Sequence, residues 1–175
     1  MLKKHPEDEG CFFVIPRKAV YNCRMTRELI DQIQKKIVHL LKKVGDRPLP
    51  VLVQKYCDEI VHLAGNWILD ELPTARIYIV KGIIDRHTHH DLLIVEYGGK
   101  AYVIDPAVWR FFKGKKTILM TTKHTMPEAL IEIQKLYHGI WRISERMEKS
   151  GFERRHEWER RVEIKVDEAM HDMAS

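Results

Sequence analysis

The chain of 175 residues is short of everything that would make it a membrane or disulfide-framed protein. No apolar run approaches the roughly 20 residues a spanning helix needs. The N-terminal MLKKHPEDEG carries two lysines with no apolar stretch behind them, so no signal peptide is expected. Only three cysteines occur, Cys11, Cys23 and Cys57, an odd number at irregular spacing. That excludes a disulfide framework and fits free thiols in a reducing, cytoplasmic setting. There is no internal repeat and no low-complexity segment. What is present, 45% hydrophobic and 31% charged residues, is the composition of one globular domain.

Net charge is +5, yet the excess is uneven: residues 145–175 hold 7 Lys+Arg against 9 Asp+Glu, which leaves +7 on residues 1–144. The lysines form short clusters (35–36, 42–43, 113–116) with no interleaved aromatics. A solvated surface is expected, and a nucleic-acid partner is not.

Periodicity divides the chain. Residues 1–10 read as a polar tail and 11–15 (CFFVI) as a short strand before Pro16. Thr26 opens a helix whose apolar residues recur from Leu29 to Leu41, and Gly45, Pro48 and Pro50 break it. A second helix follows Tyr56 and stops at Pro73. Then the period changes: 75–80, 91–97 and 100–105 are β-branched and aromatic, with Gly98–Gly99 as a tight hairpin turn, and 116–122 is a fourth strand. A helix starts near Pro127, and its apolar spacing predicts that it runs through Ile140, Trp141 and Ile143. The segment after Gly151 predicts a highly charged last helix, with Phe152, Trp158, Val162 and Val166 as a narrow stripe for docking on the body or on another chain. Helices, then an antiparallel sheet, then helices give an α+β fold. The expected domain is 1–144, with 145–175 as a charged helical extension.

Cys57 stands where the second helix begins. Unpaired amides and the positive end of the helix dipole there favour a thiolate, and the same amides can hold an oxyanion. His90 opens one strand of the hairpin and Asp105 closes the other, which predicts cross-strand neighbours at its open end. A carboxylate so placed fixes an imidazole's tautomer and leaves the second nitrogen for a nucleophile. His89 and His90 point to opposite faces, so only one of them can meet Asp105. Cys23, also near a helix start, is the alternative nucleophile, and Cys11 is expected in the core.

In this order, a helix-start cysteine followed by HDLLIVEYGGKAYVIDPAVW resembles the papain-like and transglutaminase-like thiol enzymes. It is most similar to the protein-glutaminases and glutamine-deamidating toxins. The likeness covers about residues 50–120. It implies Cys57 as nucleophile, His90 as general base and acid, Asp105 as the residue orienting His90, and a Cys57 helix packed on the sheet. The position of the apolar run favours His90 over His89. No glutamine lies six residues before Cys57, where papain-type enzymes keep an oxyanion donor. Gln54, three before, and Trp109, a candidate wall of the cleft, are the expected substrate-binding residues. The activity implied is deamidation of protein glutamine without a cofactor or metal; transglutamination and proteolysis are the neighbouring chemistries. The partner implied is a protein substrate with an accessible glutamine, and an effector or toxin delivered into another cell would also meet an immunity or adaptor protein. Two other readings stand beside it. One is a non-catalytic protein-binding module of the same fold. The other is a metal hydrolase built on His87, His89, His90 and Asp91, with His62 or His124 as a further ligand.

Overall fold

The computed structural model describes residues 25, 27–43, 45, 47–149 and 156–162. The expected strand at 11–15, the thiols Cys11 and Cys23, the helix start at Thr26 and the residues Phe152 and Val166 lie outside them.

Helix α1 (Arg27–Lys43) buries Ile30, Ile33, Ile37, Leu40 and Leu41 along one stripe. Glu28 in its first turn and Lys42 and Lys43 in its last turn complement the dipole. Pro48 and Pro50, expected only as helix breakers, instead start a further helix, α2 (Leu49–Lys55). Proline at the first or second helical position loses nothing, because the amide it lacks would have no intrahelical partner. α3 (Cys57–Glu71) follows after the single residue Tyr56 and is nearly all buried on one side.

Five strands then form one antiparallel sheet in the order β4-β3-β2-β1-β5. They are β1 (Arg76–Ile83), β2 (His89–Tyr97), β3 (Lys100–Ile104), β4 (Leu119–Lys123) and β5 (Ile140–Met147). A 3-10 turn, Val108–Arg110, separates β3 from β4, and α4 (Met126–Tyr137) separates β4 from β5. Thr125 caps α4 by accepting the Glu128 amide.

The sheet is covered on both faces. Ile77, Ile79, Leu93, Val95 and Ile104 pack against α1, α2 and α3, while Val80, Leu92, Ile94, Ala101 and Val103 pack against Ala129, Ile133 and Tyr137 of α4. This is why Leu92, Leu93, Ile94 and Val95 form an unbroken apolar run: β2 is central and has no wet face. Trp158 and Val162, on a helical turn at 156–162, are buried in the helix-side core, so that part of the predicted stripe docks on the body.

One predicted helix is corrected. The pattern from Pro127 to Ile143 is α4 followed by a strand, not one helix. His138 and Gly139 both have positive φ (58° and 78°), and the chain reverses there. A Cβ at 139 would collide with the Ile83 carbonyl, so glycine allows β5 to lie against β1. β5 is an edge strand whose middle, Arg142 to Arg146, faces water, and it shows little alternation to read. It also crosses the boundary expected after residue 144: Glu145 pairs with Ile79. Among the described residues no helix is long and apolar enough to cross a membrane.

Candidate active site

Tyr56 ends one helix and begins the next. Its amide closes α2 on Leu52 O (3.1 Å), and its carbonyl accepts the Ile60 amide of α3 (3.0 Å). Its ring is buried, which fixes the break, and Cys57 is therefore the first residue of α3. The Cys57 side chain is half-buried, with Sγ 3.6 Å from His90 Nδ1 and 3.7 Å from the Asp91 carbonyl oxygen.

His90 enters from the start of β2 and is 1% exposed, whereas His89 is exposed. His90 is thus the histidine that meets Asp105: Nε2 lies 2.9 Å from Oδ2. The two are not directly opposed. Leu93 pairs with Ile104, which puts Asp105 beside Leu92, two residues from His90 on the same face. The contact is the diagonal one that antiparallel pairs also permit.

Asp105 is fully buried and its carboxylate meets donors only. Oδ1 accepts the Ala107 amide (2.9 Å), while Oδ2 accepts His90 Nε2–H and the Tyr137 hydroxyl (2.5 Å). In these contacts the two carboxylate oxygens act as acceptors. Its own amide is tied to Ile118 O (2.8 Å), so the backbone at the end of β3 is fixed too. Burial opposes charge on His90, but the Asp105 carboxylate and the Cys57 sulfur outweigh it and lift the imidazole from 6.5 to about 10. Burial and then the Asp105 charge push the Tyr137 phenol far above its ordinary range, so it remains a donor.

Aromatic rings close the rear of His90. Phe111 meets it edge-on (4.7 Å between centroids), with Tyr137 at 5.6 Å and Trp141 at 6.2 Å. Trp141 reaches it across a glycine. Gly82 of β1 pairs with His90 on one side and Trp141 on the other, and the indole lies over the place where a Cβ would be.

The front of the site is an open cleft of about 510 Å³, with Gln54, Cys57, His87, His89, His90 and Arg110 in its walls. Lys81 spans its floor elements, bonding Asp58 of α3 (3.4 Å) and Asp91 of β2 (3.3 Å). Burial opposes the Lys81 charge, yet the two carboxylates raise its pKa. The lysine holds the start of the cysteine helix to the start of the histidine strand.

Gln54 stands on the cleft as expected. Trp109 does not: it is buried in the helix-side core, with its indole N–H donated to Lys115 O (3.1 Å). Its neighbour Arg110 takes the wall and donates to His89 O (2.5 Å). Of the metal reading, His87, His89, His90 and Asp91 share the cleft, but neither further ligand joins them. His62 stacks on Trp158 and bonds Glu145, and His124 lines a separate hollow beside Gly98 and Gly99. Among the described residues no three His, Cys, Asp or Glu side chains are placed to hold a metal.

Tyr137 and Arg110 are the site residues that sequence reading passes over. Tyr137 fits the apolar spacing of α4, and the only local signal is the His138–Gly139 helix stop that puts it in the last turn. No protein family, no curated protein and no solved structure matches the chain.

Proposed function

We propose that the chain is a cysteine-dependent acyl-transfer enzyme of the papain-like or transglutaminase-like type, acting on a carboxamide. One observation carries the reading: the two ring nitrogens of His90 link Cys57 Sγ to the Asp105 carboxylate, with the sulfur toward the cleft and the carboxylate buried. His90 Nδ1 already holds the proton given up by the thiol, and Asp105 stabilises that imidazolium. The thiolate attacks the carboxamide carbon, and the carbonyl oxygen becomes an oxyanion facing the first amides of α3 and the Gln54 side chain. The imidazolium returns its proton to the nitrogen as the C–N bond breaks, so ammonia leaves and a thioester remains. His90 then removes a proton from water, the hydroxide attacks the thioester, and the sulfur leaves as thiolate. The sequence pattern around the hairpin favours a protein glutamine as the carboxamide, converted to glutamate.

Ammonia release from a glutamine-rich protein such as casein tests this. Cys57→Ala and His90→Ala are each expected to abolish release, and Asp105→Ala to lower it by about a hundredfold or more. Release unchanged in any one variant removes that residue from the mechanism.

A further inference from the structure

Asp105 Oδ2 is shared. It accepts Nε2–H of His90 at 2.9 Å and the hydroxyl of Tyr137 at 2.5 Å, while Oδ1 is occupied by the Ala107 amide. Two donors on one oxygen compete for its charge: the more the phenol draws, the less remains to hold a proton on the imidazole. The site is dry, since Asp105 and the His90 side chain are fully buried, so water cannot relieve that competition.

We infer that Tyr137 is a positioning residue that tempers the basicity of His90 through the carboxylate they share. This rests on reading His90 as the proton carrier of the acyl transfer. A base tied too firmly to its proton is poor at returning it to a leaving group, and a proton affinity nearer the working pH serves both directions of transfer. A carboxylate bonded to His90 and one amide alone would overshoot. The phenol corrects this without adding charge, and it sits on α4, the only helix on that face of the sheet among the described residues.

The surroundings allow the effect to be isolated. Among the described residues, the titratable groups facing His90 are Cys57 from α3, Asp105 beyond β3 and Tyr137 from α4. β1 and β5 present Gly82 and Trp141, which do not titrate. The 3-10 turn and the residue after it present Phe111 to the ring, with Arg110 turned to the His89 carbonyl.

The test is an NMR titration of the His90 ring nitrogens in a Cys57→Ala background, which removes the coupled thiol. Tyr137→Phe is expected to raise the His90 midpoint by about half a pH unit or more, an approximately threefold gain in proton affinity. Site-specific 3-fluorotyrosine at position 137, a more acidic donor of nearly the same shape, is expected to lower it. The fluorinated chain keeps the hydroxyl and so tests the idea even if Tyr137→Phe does not fold. A midpoint unmoved or shifted the opposite way in either folded protein overturns the proposal, because a merely structural tyrosine would change the melting temperature and leave the titration alone. Ammonia release plays no part in this readout, so failure of the acyl-transfer reading is detected separately.

Discussion

His90 is charged by its neighbours at a depth where burial alone would keep it neutral. Its folded value of about 10 lies above the unfolded 6.5, so protonation favours the folded state. The sign follows: this contribution is fully present below about pH 6.5 and is lost as pH rises through about 10. Denaturant melts of the wild type at about pH 6 and pH 10.5 should therefore show an alkaline loss of stability. Asp105→Asn, which removes the charge that raises His90, should flatten that loss; an alkaline loss of equal size in the variant would assign it to other groups. At this scale Cys57, His90 and Asp105 were legible because each stands at an element boundary, where a side chain is not explained by periodic packing. Trp109 was misread because nothing local reveals that its indole finds Lys115 O and turns the ring inward. Tyr137 was hidden because a buried tyrosine fits an apolar stripe as well as a leucine does.

Among the elements, the row His90–Gly82–Trp141 across β2, β1 and β5 ties the edge strand to the site. A Cβ at 82 would come within 2.5 Å of the Trp141 ring, so Gly82→Ala must displace the indole and uncover the rear of His90. The expected cost is about 1–3 kcal/mol, read by urea denaturation, with a change in tryptophan fluorescence as the indole moves. A neutral Gly82→Ala would show that the indole moves aside freely. β5 itself escaped the sequence. Only Met147 at its end is buried in the core while the middle of the strand is exposed, so the period of two is lost, and Ile140, Trp141 and Ile143 happen to continue the helical spacing of α4. α2 escaped because Pro48 and Pro50 were weighed as breakers, although proline is equally at home in a first helical turn.

For the molecule as a whole, covering the sheet on both faces is what makes the site possible. α3 brings the thiol to the open end of the hairpin from one side, and α4 brings Tyr137 to the carboxylate from the other. The hairpin between them, β2 and β3, carries the histidine and the aspartate in a register set by Gly98 and Gly99, both at positive φ. The α+β class and the antiparallel order were legible from the succession of periods along the chain. The second layer was not, since whether one helix or three cover a face depends on contacts between distant segments. The charged segment after Gly151 shows the same limit: its stripe was visible, but its seat beside His62 was not.

The proposed chemistry requires that His90 and Asp105 make Cys57 a nucleophile. Its most direct test is the rate of Cys57 alkylation by iodoacetamide from about pH 5 to pH 9, followed peptide by peptide so that Cys11 and Cys23 are counted apart. At pH 6 Cys57 is expected to react at least about tenfold faster than a cysteine in a short peptide, and His90→Ala to abolish the difference. A Cys57 rate that follows the peptide thiol across the whole range, in the wild type and in the variant alike, would contradict it.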